Sequence, residues 1–131
     1  MNTSAIHEVL EESQAGKLIF PDVVSRMLDA GVESYFIDLA CGIETFYLID
    51  GSTHIEKMAP PSLPIAEEFS PTAVVAAIRA AQADEIRYPE FKKRSASAGV
   101  IAYWAFLTGK KVIYFGRKGE FHVEEFPSTH S

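Results

Sequence analysis

Four stretches of the chain place apolar residues at helical spacing, and six others cluster or alternate them as strands do. Ile6, Val9 and Leu10 form one stripe of a first helix, which Ala15-Gly16 ends. A later helix has stronger punctuation. Ser70 is placed as its N-cap, Pro71 takes the first helical position, and Val74, Ala77, Ile78 and Ala81 share an apolar face. Two more helices open at Pro21 and Pro89, where a missing N–H costs nothing, and close at Gly31 and Gly99. The alanines after Gly99 would suit a helix, but three features assign 100–107 to a strand. Gly99 breaks a helix, Thr108-Gly109-Lys110 signals a turn, and the matching stretch 32–39 holds the β-forming run Tyr35-Phe36-Ile37. Further strands are expected at 44–49 and 111–115, then at 53–57 and 120–126, with Asp50-Gly51 and Arg117-Lys118-Gly119 turning the chain.

The same series of signals occurs twice. Phe20-Pro21-Asp22 returns as Tyr88-Pro89-Glu90, an offset of 68 (89 − 21). At that offset Gln14-Ala15 matches Gln82-Ala83, Arg26 matches Arg94, and Ala30-Gly31-Val32 matches Ala98-Gly99-Val100. Tyr35 and Leu39 match Tyr103 and Leu107 in the same way. One dropped residue aligns Gly42 with Gly109 and Tyr47 with Tyr114, after which His54-Ile55-Glu56 matches His122-Val123-Glu124. This order indicates an internal duplication. The halves are residues 1–58 and 69–126, and the connector 59–68 has three prolines in Ala59-Pro60-Pro61-Ser62-Leu63-Pro64, which makes it extended. The fold class expected is therefore α+β: two tandem ααβββ pseudo-repeats in one domain over 1–131, with antiparallel sheet(s) packed by four helices on one face. If the two meanders join, an approximate two-fold axis relates the halves.

The chain has 131 residues and 47% hydrophobic content, enough for one real core. Its 12 basic and 18 acidic side chains leave a net charge of −6, which argues against general nucleic-acid binding. No apolar run is long enough to span a membrane, the amino terminus lacks a signal-peptide pattern, and a single Cys41 permits no internal disulfide. A cytoplasmic location is the expectation.

The repeated His-x-Glu motif, His54/Glu56 and His122/Glu124, is the leading chemical feature. On a strand, residues two apart share a face, so each motif sets an imidazole beside a carboxylate. If the symmetry brought all four together, they would suit zinc or a similar divalent metal, or acid–base chemistry. Polar residues at alternate positions also describe any half-exposed strand, and duplication copies neutral residues too. His122 and Glu124, with Arg117 or Tyr114 holding an anion, form a smaller candidate ligand site. Arg26 and Arg94 read as charges matched to helix C-termini, with Asp22 and Glu90 as their N-terminal complements. Core packing explains most of the aromatic band Tyr35, Phe36, Phe46, Tyr47, Tyr103, Trp104, Tyr114 and Phe115, although such a band can also line a ligand pocket. Cys41 has no histidine near it in sequence, and Lys92-Lys93-Arg94 reads as a solvated helix face. No Walker loop, dinucleotide fingerprint, nucleophile elbow or Cys-x-x-Cys is present, so no motif implies a cofactor.

Several segments resemble the YbcV-like family: Tyr88-Pro89-Glu90-Phe91, Ala98-Gly99-Val100, 114–120 (Tyr-Phe-Gly-Arg-Lys-Gly-Glu), and His122-Val123-Glu124 with Phe126-Pro127. Ile6-His7-Glu8-Val9 and the stretch from Ala30-Gly31-Val32 to Asp38-Leu39 are similar too. The resemblance implies a small bacterial, prophage-associated protein of unknown function, sometimes labelled a phage envelope protein, and carries over no active site. Two functions stay open. One is a non-catalytic binding module that pairs with itself or a protein partner, through its aromatic sheet or exposed strand edges. The other is a small metal-binding protein or enzyme using His54, Glu56, His122 and Glu124, and side-chain convergence separates the two.

Overall fold

The computed structural model describes residues 3–58 and 62–127. The connector's first residues, Ala59-Pro60-Pro61, lie outside that range. In chain order the elements are α1 (Thr3–Gln14), α2 (Phe20–Asp29), β1 (Val32–Asp38), β2 (Ile43–Leu48), β3 (Thr53–Lys57), α3 (Pro71–Gln82), α4 (Tyr88–Ser97), β4 (Val100–Phe106), β5 (Lys111–Gly116) and β6 (Phe121–Glu125). The fold is α+β. Local chemistry accounts for the boundaries. The Ser70 hydroxyl accepts from the Ala73 N–H to start α3, and the Asp22 carboxylate accepts from the Ile19 N–H at the head of α2. No helix among the described residues is long and apolar enough to cross a membrane.

The two meanders join in one six-stranded antiparallel sheet, ordered β3-β2-β1-β4-β5-β6. At its centre Phe36 lies opposite Trp104, flanked by Ser34–Phe106 and Asp38–Ala102. Outward from this pair the register is the same on both sides. Tyr35 faces Phe46 as Tyr103 faces Tyr114, and Phe46 faces His54 as Tyr114 faces His122. This register corrects the one-residue gap expected between the halves. Tyr114 takes the position of Phe46, not of Tyr47, so the offset of 68 (114 − 46) persists through the turn. Lys110 replaces Gly42 as the left-handed residue there, with φ of 59° against 74°, so the turn loses no residue.

All four helices lie on one face. Ile6 and Val9 of α1, Met27 of α2 and Val74 and Ile78 of α3 pack on Tyr35, Ile37, Phe46, Tyr103, Ala105, Val112 and Tyr114. On α3 the buried alanines are Ala77 and Ala80, and Ala81 is half-buried. The opposite face, with Phe36, Tyr47, Trp104, Ile113 and Phe115, contributes nothing to this core. The aromatic band thus divides: Tyr35, Phe46, Tyr103 and Tyr114 are core, and its other four members face away from the helices.

The connector is tied to the second half. The Ala66 N–H donates to the Ala96 carbonyl (3.0 Å), and the Ser70 N–H donates to the Ala98 carbonyl (2.8 Å). This course needs Gly99, whose φ is +92° and where a Cβ would lie 2.3 Å from the Glu68 carbonyl oxygen. Gly51 has a similar φ of +90° with nothing within 4 Å. Denaturant unfolding should separate the two effects. Gly51→Ala costs about 1 kcal/mol, from left-handed strain alone, whereas Gly99→Ala costs about 3 kcal/mol or more because backbone must also move.

Candidate functional site

Strand alternation aims both His-x-Glu motifs toward the helices, but at opposite edges of the sheet. His54 and Glu56 are on β3, His122 and Glu124 on β6, five strand spacings or ~24 Å apart. The four donors are therefore not brought together, because the sheet joins through β1 and β4 and leaves β3 and β6 as its two outermost strands. Each pair instead meets the first helix of its own half. At one edge the His54 imidazole lies 2.7 Å from Glu56, whose other oxygen is 3.1 Å from His7 of α1, which in turn reaches Glu11 at 3.1 Å. At the other edge the His122 imidazole is 3.2 Å from Glu124, which accepts from Arg79 of α3 at 2.7 Å. Arg79 occupies the position corresponding to Glu11 (79 − 68). The same location is thus acidic at one edge and basic at the other.

Thr3, Ser4, His7, Glu8, Glu11, His54 and Glu56 line an open depression of about 370 Å³. Its imidazoles point at carboxylates and not at a shared centre. Among the described residues no group of three or more His, Cys, Asp or Glu side chains is arranged to hold a metal. The smaller ligand site is also dispersed. Tyr114 is buried under its neighbours with its ring near that of His122, and Arg117 donates to the Ile65 carbonyl of the connector at 3.3 Å. Cys41 is exposed, and its thiol is pushed up by burial of the sulfur and by Asp38. Arg26 does more than meet a helix end, since both of its terminal nitrogens donate to Glu12 of α1 at 2.9 Å.

Two features were not legible from motifs. Lys92, expected on a solvated face, is 2% exposed and donates to Gln14 of α1 at 2.8 Å, with its ammonium 4.9 Å from the Tyr88 ring centroid. Glu44 is 1% exposed on β2, and its Oε2 has no hydrogen-bond partner among the described residues. Period-two alternation with Phe46 and Leu48 already places Glu44 on the core side. Burial, opposed by the Lys92 charge, pushes its carboxyl up to about 7.

The second feature is the open face. Trp104 stacks on Tyr47 and Phe106 at 5.5 and 5.2 Å and meets Phe36 edge-on at 5.2 Å. Its indole N–H donates to the Ser34 hydroxyl at 3.2 Å, so its one polar group is satisfied within the face. Toward the edges Ile55 is 61% and Phe121 64% exposed.

The family model DUF1398, described as a protein of unknown function, matches residues 20–125. No curated protein matches the chain.

The edge network acts as a clamp between α1 and β3, and its pH dependence has a defined sign. His7 is raised by its hydrogen bond to and the charge of Glu56, so its contribution is full below the unfolded value of about 6.5 and is lost as pH rises through the folded one. Burial pushes Glu56 up, but the hydrogen bonds with His54 and His7 outweigh it and leave it lowered. Its contribution is present above about 4.5 and is lost as pH falls through the folded value. The clamp is therefore strongest between these limits. In hydrogen exchange, His7→Gln should lower the protection of α1 at pH 5.5 and leave it nearly unchanged at pH 8.5, once intrinsic rates are corrected.

Proposed function

Since the chain belongs to the DUF1398 family of proteins of unknown function, which supplies no chemistry, we propose that it is a non-catalytic interaction module that pairs with a second copy of itself through the open face of its sheet. One observation carries this reading: an apolar, aromatic-centred sheet face that no described helix covers. Six strands ~4.8 Å apart, each about six residues long at ~3.3 Å per residue, present a face of roughly 29 by 20 Å. Side-chain relief raises the accessible area above that flat figure. This approaches one side of a standard interface, about 800 Å² per partner, and lies at the top of the range of patches that monomers usually expose.

Charge sits at the margins of this face, with Lys57 at the end of β3 and Glu125 at the corresponding end of β6. Face-to-face docking leaves both in solvent or sets opposite signs together. The strand edges are poorer docking sites, because β3 and β6 are only five residues long and carry His, Glu and Lys. We further read the shared register of the halves as a product of internal duplication within one domain, and the carboxyl-terminal motif as YbcV-like with its prophage association. A cytoplasmic protein fits this reading.

Sedimentation tests it. The wild type should run at twice 14.5 kDa in the micromolar range. Ile55→Lys with Phe121→Lys, both exposed in the single chain, should give a folded monomer. A monomeric wild type, or a double variant that stays dimeric, overturns the proposal.

A further inference from the structure

The correspondence between the halves supplies an internal control for the buried polar groups. Glu44, Lys92 and Tyr88 have Val112, Val24 and Phe20 as their counterparts at the offset of 68. Val112 is buried on the core face, and its cross-strand neighbour is Glu124, just as Glu44 has Glu56. Val24 packs against the same core, and Phe20 rests edge-on against Phe126 at 5.3 Å. The scaffold thus accepts valines in the positions of Glu44 and Lys92, with Val112 buried and Val24 partly so, while Phe20 lies at the rim, 37% exposed. Of the two corresponding joints, each shared by both halves, the one that carries a carboxylate, an ammonium and a phenol bears a desolvation cost that packing does not require.

We infer that Glu44, with Lys92 and Tyr88, is a proton-binding site at the joint between the two halves, its buried carboxyl and unpartnered Oε2 built to hold one exchangeable proton. The joint is where α4 of the second half reaches β2 and α1 of the first. Lys92 donates to Gln14 on α1, while Tyr88, which accepts from the Tyr103 hydroxyl at 2.8 Å, offers its own hydrogen to Glu44. Charged and titratable groups from three elements bear on the carboxyl. From α4 come the Lys92 charge and the Tyr88 phenol. From β3 comes the like charge of Glu56, which His54 and His7 in turn hydrogen-bond. From β1 comes the buried phenol Tyr35, held neutral by burial, and the buried Tyr103 of β4 acts through its hydrogen bond to Tyr88. The orphaned Oε2 is the atom that takes the proton, since Oε2 has no described donor to satisfy it when ionised.

The sign of the linkage follows. The folded carboxyl lies above its unfolded value, so the folded state holds a proton that the unfolded chain releases. The contribution is complete below about 4.5 and is lost as pH rises through about 7. Two measurements test this on the full chain. In the first, the ¹³C shift of the Glu44 side-chain carboxyl is followed against pH in wild type and Lys92→Met. The wild-type resonance should titrate near 7, and removal of the ammonium should move it higher. In the second, thermal midpoints of wild type and Glu44→Gln are compared between pH 4.5 and 8. The wild type should lose on the order of 5 °C relative to the variant across that window. A resonance that titrates between pH 4 and 5, a Lys92→Met curve that does not move upward, or parallel midpoints would each overturn the inference. The carboxyl titration needs only wild type and Lys92→Met, so it decides the matter even if Glu44→Gln does not fold.

Discussion

The pairing of β1 with β4 is the contact on which the molecule depends. Each half by itself is a three-stranded meander with two helices, a size at which a smaller fraction of the surface is buried and stability is marginal. Joining two of them edge to edge removes the inner edges and doubles the platform. It also sets Tyr35, Ile37, Tyr103 and Ala105 side by side beneath the helices. The Phe36–Trp104 pair marks the centre, and from it every cross-strand neighbour follows in the same order on either side.

This arrangement also decides where the chemistry lies. A symmetric join at the centre drives the third strand of each half to the periphery, so the two His-Glu pairs end as far apart as the sheet allows. There they fasten the first helix of each half to an edge strand. The second consequence is one-sidedness. Four helices on one face leave the other, with the aromatic cluster around Trp104, uncovered by any described helix.

The symmetry is most informative where it fails. Arg79 against Glu11 gives the two clamps opposite electrostatic character, and Glu44 with Lys92 against Val112 with Val24 makes one of the two joints between the halves polar and the other apolar. Both differences lie between α-helices and the sheet. The layer interface is thus where the halves have separate roles, while the strand register remains common to both.

Much of the architecture was legible in the sequence because its signals are local. Pro21 and Pro89 start helices, Gly31 and Gly99 end them, Ser70 caps a helix, and Gly51 and Gly119 sit in tight turns, each through a backbone preference that acts within a few residues. The offset of 68 carried most of the internal correspondence for the same reason. Only in the turn did glycine identity depart from it, suggesting Gly109 as the partner of Gly42 and Tyr114 as that of Tyr47, although Lys110 adopts the same left-handed conformation. What tertiary structure alone decided is which faces meet. Lys92 looks like any charge on a polar helix face until α1 closes over it, and Glu44 looks like an alternating strand residue until burial removes its water. Whether His54 and His122 converge depends on which edges of the two meanders pair. Side-chain type and spacing determine a strand and its faces, but the choice of pairing edge is a contest between long-range contacts that no local pattern records.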